Sequence, residues 1–95
     1  MSETMQPTIP SSVFWSETED GVVVVDPVNG DVRAFNGVGS EVWQGLSQKS
    51  TVAQIERGLM GAYGISAEIA KRDVSAFLSE LDKRGLIEWV AATAT

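Results

Sequence analysis

Ninety-five residues, 43% of them hydrophobic, suffice for one small domain with a single core and leave no room for a second. Seven basic against thirteen acidic side chains leave a net charge of -6, which repels phosphate backbones; zero Cys and zero His remove disulfides, a thiol nucleophile and the usual neutral-pH general base together. The chain is therefore expected to be no enzyme and to need no cofactor or metal. With no run near the roughly 18 apolar residues of a membrane span, and no signal-peptide pattern in "MSETMQPTIP", it is expected to be cytoplasmic with no membrane partner.

Residues 1–10 contain Pro7 and Pro10 without periodicity and read as a flexible N-terminal arm; 11–90 read as the folded domain, and 91–95, "AATAT", as a flexible tail. Between the ends, "SSVFWSETEDGVVVVDPVNGDVRAFNG" presents three short runs rich in Val, Phe and Trp. They are broken by "TEDG" and "DPVNGD", whose Gly, Pro, Asn and Asp supply turn dihedrals. A three-stranded antiparallel meander follows. Its middle strand, Val22 to Val25, is continuously apolar, and in its last strand Val32 and Ala34 share one face while Arg33 and Phe35 share the other.

After Asn36 the period becomes helical. Val38, Val42, Trp43 and Leu46 mark a first helix with Asn36 placed as its cap. Thr51 and Gln54 form a capping-box pattern for a second, striped by Val52, Ile55, Leu59 and Tyr63 and stopped at Gly64. Ser66 caps a third, where Ala70, Val74, Phe77, Leu78 and Leu81 recur at three and four residues up to Gly85. Leu86 to Val90 read as a short extended tail. Trp15, Trp43 and Tyr63 are expected in the core or at its border, and Trp89 either covers the sheet or is exposed. Three strands followed by three helices give an α+β fold, like a winged helix-turn-helix with its strands first.

Little in the chain suggests catalysis. Glu17, Glu19 and Asp20 cluster at the first turn, where adjacent carboxylates are simply solvated, and "NGDVRAFNGVG" matches neither the phosphate-loop nor the dinucleotide pattern. Gly30 is read as a turn residue, Gly37 and Gly39 as backbone needs at the helix start. The helix order keeps a winged-helix DNA-binding regulator as the alternative. On the third helix, however, Lys71, Arg72, Lys83 and Arg84 are cancelled by Glu68, Asp73, Glu80 and Asp82, so no nucleic-acid partner is expected.

The meander leaves one question. Its last strand, "DVRAF", has no sequence neighbour on its outer side, so its main-chain groups are vacant there. It is either a short edge blunted by Arg33 or a site where another chain adds as a fourth strand. The open edge also permits self-pairing, although a monomer is expected.

Several signatures occur in order: "DG" before an apolar strand, Asp and Gly flanking a hairpin turn, "FN" followed by "G" and "VW", "YG" before a helix, and "DVxxFLxxLxxRGL". Together, from about Val13 to Ile87, they resemble the PqqD family, the small leader-peptide-binding domains called RiPP recognition elements. The resemblance implies a noncatalytic protein whose partner is the leader segment of a ribosomally made precursor peptide. The leader would lie along the last meander strand, in the groove beside the third helix, for presentation to processing enzymes. A stand-alone domain with an N-terminal arm looks most like the lasso-peptide type, which works with a leader peptidase; quinone-cofactor biosynthesis is the neighbouring alternative. On this reading Asp31, Val32, Arg33, Ala34 and Phe35 pair with the peptide, Val74, Phe77, Leu78 and Leu81 line the groove, and Asp73 and Arg84 supply rim charges. Where the family often reads "LN" then "TG", this chain has Phe35-Asn36 and Val38-Gly39, so a hydroxyl at the helix start is missing.

Overall fold

The computed structural model, which describes residues 5–91, opens with a strand, β1 (Met5–Thr8), and continues through β2 (Phe14–Thr18), β3 (Gly21–Val25) and β4 (Val32–Asn36). Three helices follow, α1 (Gly37–Ser47), α2 (Val52–Tyr63) and α3 (Ala67–Lys83), and then a closing strand, β5 (Glu88–Ala91). The meander β2-β3-β4 is antiparallel and precedes the three helices, the α+β, winged-helix-like order expected.

Two boundaries are corrected. Met5–Thr8 does not hang free as part of an arm; it pairs antiparallel with β5, Pro7 opposite Trp89 and Thr8 opposite Glu88. Pro7 is buried, and the Gln6 side-chain amide donates to the Lys49 and Ser50 carbonyls at the α1–α2 turn. Ala91, assigned to a flexible tail, belongs to β5. Ile9 is packed against the core and the Pro10 carbonyl accepts from the Val13 amide, so these arm residues are ordered too, while residues 1–4 and 92–95 lie outside the described residues.

Within the meander, alternation sorts the side chains into two faces. Trp15, Val24 and Arg33 form one inward row, and Val22 and Phe35 begin the next, with Val22 and Val24 fully buried. The outward rows are Phe14–Val25–Val32 and Ser16–Val23–Ala34. Against the inner face lies α1, through buried Val42, Trp43 and Leu46; α3 packs on α1 and α2 behind it. Aromatic rings tie these layers together: Trp15 meets Trp43 edge-on at 6.1 Å, Phe35 lies 6.0 Å from Trp43, and Phe35 meets Phe77 of α3 edge-on at 5.0 Å. Such pairs contribute about 0.5–1.5 kcal/mol each beyond the area they bury. Trp43 gives something back, since its buried indole N–H has no partner among the described residues.

The helix ends follow the sequence signals with one exception. Thr51 and Gln54 make both bonds of the capping box, the Ser66 hydroxyl accepts from the Ile69 amide, and Gly64 closes α2 at φ 64°. At the end of α3 the Leu86 amide reaches the Leu81 carbonyl and the Gly85 amide the Asp82 carbonyl, with Gly85 at φ 69°: a Schellman closure that seals Leu86 against the core. The exception is Asn36, which occupies the N-cap of α1 in extended conformation but makes no side-chain cap bond. Tyr63, expected in the core or at its border, is 44% exposed as the last residue of α2, before the Gly64 cap.

The β3–β4 turn is built around Asp26. Its carboxylate accepts from the Val28 amide at 2.8 Å and the Asn29 amide at 3.3 Å, while its own carbonyl accepts from Gly30. These bonds, led by that from Val28 and helped by the Arg33 charge, hold the carboxyl below its ordinary pKa even though burial pushes the other way. A carboxylate depressed in the folded state stabilises the fold above its unfolded pKa, about 3.9, and that contribution is lost as pH falls through the lower folded value. The melting temperature of the wild type should therefore fall more steeply below about pH 4 than that of Asp26→Asn, which has no charge to lose at this site. Melting curves from pH 7 to pH 2 check this; parallel profiles would contradict it.

Candidate functional site

The Asp26 amide donates to the Asp31 carbonyl at 2.8 Å, which makes 26 and 31 a hydrogen-bonded pair of the antiparallel ladder. Such pairs recur at every second residue. With Val24 opposite Arg33 and Val22 opposite Phe35, the main-chain groups of Asp31, Arg33 and Phe35 are turned toward β3. Those of Val32, Ala34 and Asn36 point to the open side, where no described strand lies. The expectation that all of Asp31 to Phe35 pair with a guest thus narrows to alternate residues.

Beside this edge runs a groove of about 520 Å³. Ala34, Phe35 and Asn36 form its sheet wall, Val38 and Gly39 its floor on α1, and Asp73, Ala76, Phe77 and Glu80 its wall on α3. Its existence depends on α1, not α3, making the main helix contact with β3 and β4. Phe77 then spans the gap to Phe35 and stays half-exposed. Gly39 allows that approach: a Cβ there would stand 3.1 Å from the Phe77 ring, tighter than side chains ordinarily pack.

Of the helix residues assigned to the groove from the sequence, the structure brings Phe77 and Asp73 to it and withholds three. Val74 and Leu81 are 0% exposed and Leu78 5%, all in the core. A stripe at three-and-four spacing covers more of α3 than one groove wall, and its centre must hold the helix to α1 and α2. Arg84 is displaced as well. It lies near the β3–β4 turn beside Asp26 and Val28, and its guanidinium is bound to Glu80 at 2.7 and 3.0 Å. Arg33 belongs to the inward face, its Nε buried without a partner among the described residues, and Val32 is 67% exposed on the outer one.

Asn36, Val38, Gly39, Ala76 and Glu80 line the groove without having been assigned to it from the sequence. Ala76 and Glu80 carried a signal, being three residues after Asp73 and three after Phe77 and so on the same side of the helix. Nothing in the local sequence marked the α1 floor. Glu17, Glu19 and Asp20 are exposed and, among the described residues, no group of His, Cys, Asp or Glu is arranged to hold a metal ion. No helix among those residues is long and apolar enough to cross a membrane.

Comparison with known proteins agrees with this geometry. A family model described as Coenzyme PQQ synthesis protein D (PqqD) matches residues 21–87. A solved structure of TbiB1 in complex with the TbiA(beta) leader peptide superposes with a TM-score of 0.81 at 25% identity, covering 90% of this chain and 99% of that one. A second, lasso peptide synthetase B1 complexed with the leader peptide, superposes with a TM-score of 0.77 at 20% identity over 87% and 98% of the two chains. No curated protein matches the sequence significantly.

The partition between core and groove has a measurable consequence. Leu81→Ala should cost about 2–5 kcal/mol in urea unfolding, as for a fully buried aliphatic side chain. Half-exposed Phe77 should cost less than the about 3–5 kcal/mol of a buried Phe→Ala change. Equal losses would place Phe77 in the core.

Proposed function

The chain belongs to the PqqD family, and on that premise we propose that it is a noncatalytic leader-peptide-binding protein: it captures the leader of a ribosomally made precursor by strand addition to β4 and presents it to processing enzymes. The observation that carries this is the coincidence of a β4 edge unpaired among the described residues with an apolar groove immediately beside it. The neighbouring TbiB1 structure, which contains a leader peptide, supports the same reading. A lasso-peptide pathway with a leader peptidase is the pathway proposed, in keeping with the name of the second structural neighbour.

The physical division of labour is simple. Val32, Ala34 and Asn36 offer donors and acceptors that any extended chain can satisfy, each bond contributing about 0.5–1.5 kcal/mol net, so the edge sets register and direction without reading sequence. Reading falls to the side chains that alternate into the groove. An apolar anchor buried against Phe77, Val38 and Ala76 adds about 1.5–3 kcal/mol, and the wrong side chain forfeits it. Ordering a flexible peptide costs about 2–5 kcal/mol or more, which makes those anchors decisive for whether binding is seen at all. The alternate side chains of the guest fall on the outer face, extending the Phe14–Val25–Val32 row.

Ala34→Pro tests strand addition directly, because it removes an N–H that faces the open side and leaves those facing β3 in place. The expected result is saturable binding of a synthetic leader by the wild type, about tenfold or greater weakening in Ala34→Pro, and melting temperatures that stay close. Labelled-amide spectra of the wild type should show Val32 and Ala34 shifting on titration. Unshifted amides at both positions while a leader saturates the protein would exclude this mode of binding.

A further inference from the structure

The groove walls are unequal in charge. The sheet wall of Ala34, Phe35 and Asn36 carries none, whereas the α3 wall carries Asp73 and Glu80 and no cation. Arg33, the one basic residue of β4, faces inward, and its charge acts on Asp26. Lys71 points into a different cavity, with Glu56, Asp82 and Trp89. The two groove carboxylates also differ from each other. Glu80 is already held by Arg84, two guanidinium nitrogens on one carboxylate oxygen. Asp73 makes no hydrogen bond or ion pair with any described residue, and it is half-buried one turn from Phe77.

A strand laid along β4 would take Asp73 further out of water. Covering an unpaired carboxylate with an apolar or acidic side chain is unfavourable; covering it with an ammonium or guanidinium restores the lost hydration as an ion pair. The spacing suits one arrangement. Four helical residues advance about 6 Å from Asp73 to Phe77, and groove-facing positions of an extended strand, two residues apart, are separated by about 6.4–6.8 Å. Resting on the strand-addition reading above, we propose that Asp73 is a specificity-determining residue. It selects a leader whose Lys or Arg lies two positions from the apolar side chain seated on Phe77.

Two sets of three fluorescent versions of the synthetic leader serve as probes. Within a set they differ only in carrying Lys, Gln or Glu two positions from the anchor, one set for each side of it, and anisotropy is read against the full chain. On one side of the anchor the Lys peptide should bind about tenfold more tightly than the Gln peptide, with the Glu peptide weakest. Raising salt should compress the differences. Asp73→Asn should bring the three together, and Asp73→Lys should invert their order. Glu68→Gln, the same charge change at an exposed site outside the groove, should leave the wild-type ranking intact, and circular dichroism checks that each variant is folded.

A ranking unchanged by Asp73→Asn would overturn the assignment, as would equal binding of all three peptides to the wild type. If the Val32 and Ala34 amides shift with every peptide in those cases, only the charge selectivity fails. If no peptide binds, or binding leaves those amides still, the strand-addition reading fails with it.

Discussion

An antiparallel ladder consumes the main-chain groups of alternate residues on each side of a strand, and this constraint organises the molecule. Because the Asp26 amide meets the Asp31 carbonyl, the backbone at 31, 33 and 35 is spent on β3, and the backbone at 32, 34 and 36 is directed outward. The same alternation puts Phe35 inward, where it meets Trp43 and Phe77, and leaves Val32 and Ala34 on the solvent face. A slip of one residue would exchange every one of these roles. The tight Asp26 turn, with its carboxylate bonded to Val28 and Asn29, is what prevents the slip.

The groove is a by-product of how the layers stack. α1 occupies the space on β3 and β4, so α3 can pack only behind it and to one side. The gap that remains is crossed by one edge-on aromatic contact, Phe35 to Phe77, and is floored at Gly39, where a side chain would collide with the Phe77 ring. A surface built this way is apolar and partly formed without a ligand, so a guest does not have to create its own pocket. It lies next to vacant hydrogen-bonding groups, and the two features together point to an extended peptide in preference to a compact small molecule.

Family membership and local physics reinforce one another here without being the same evidence. The family match covers residues 21–87, from the middle strand of the meander to Ile87, and so omits β1, β2 and the whole of β5. The β1–β5 pair lies outside the meander, tied by Gln6 to the α1–α2 turn and by Trp89 to Asp82 of α3. It braces the back of the helical layer. The open edge and the acidic α3 wall lie within the matched segment.

Much was legible in the sequence because it is encoded by neighbours. Two hairpins follow from turn residues between Val-rich runs, the capping box from Thr51 and Gln54, and the closure of α3 from Gly85; each depends on contacts within about six residues. The vacancy beside β4 was readable too, since no further strand follows it directly. What required the tertiary structure were decisions made by distant contacts. Met5–Thr8 is a strand only because Glu88–Ala91 is there to pair with it. Val74, Leu78 and Leu81 share one stripe with Phe77, yet the packing of α3 on α1 and α2 buries those three and turns Phe77 to the groove. Helical period identifies an apolar face; only the positions of the surrounding elements decide which edge of that face meets a neighbour and which meets an opening.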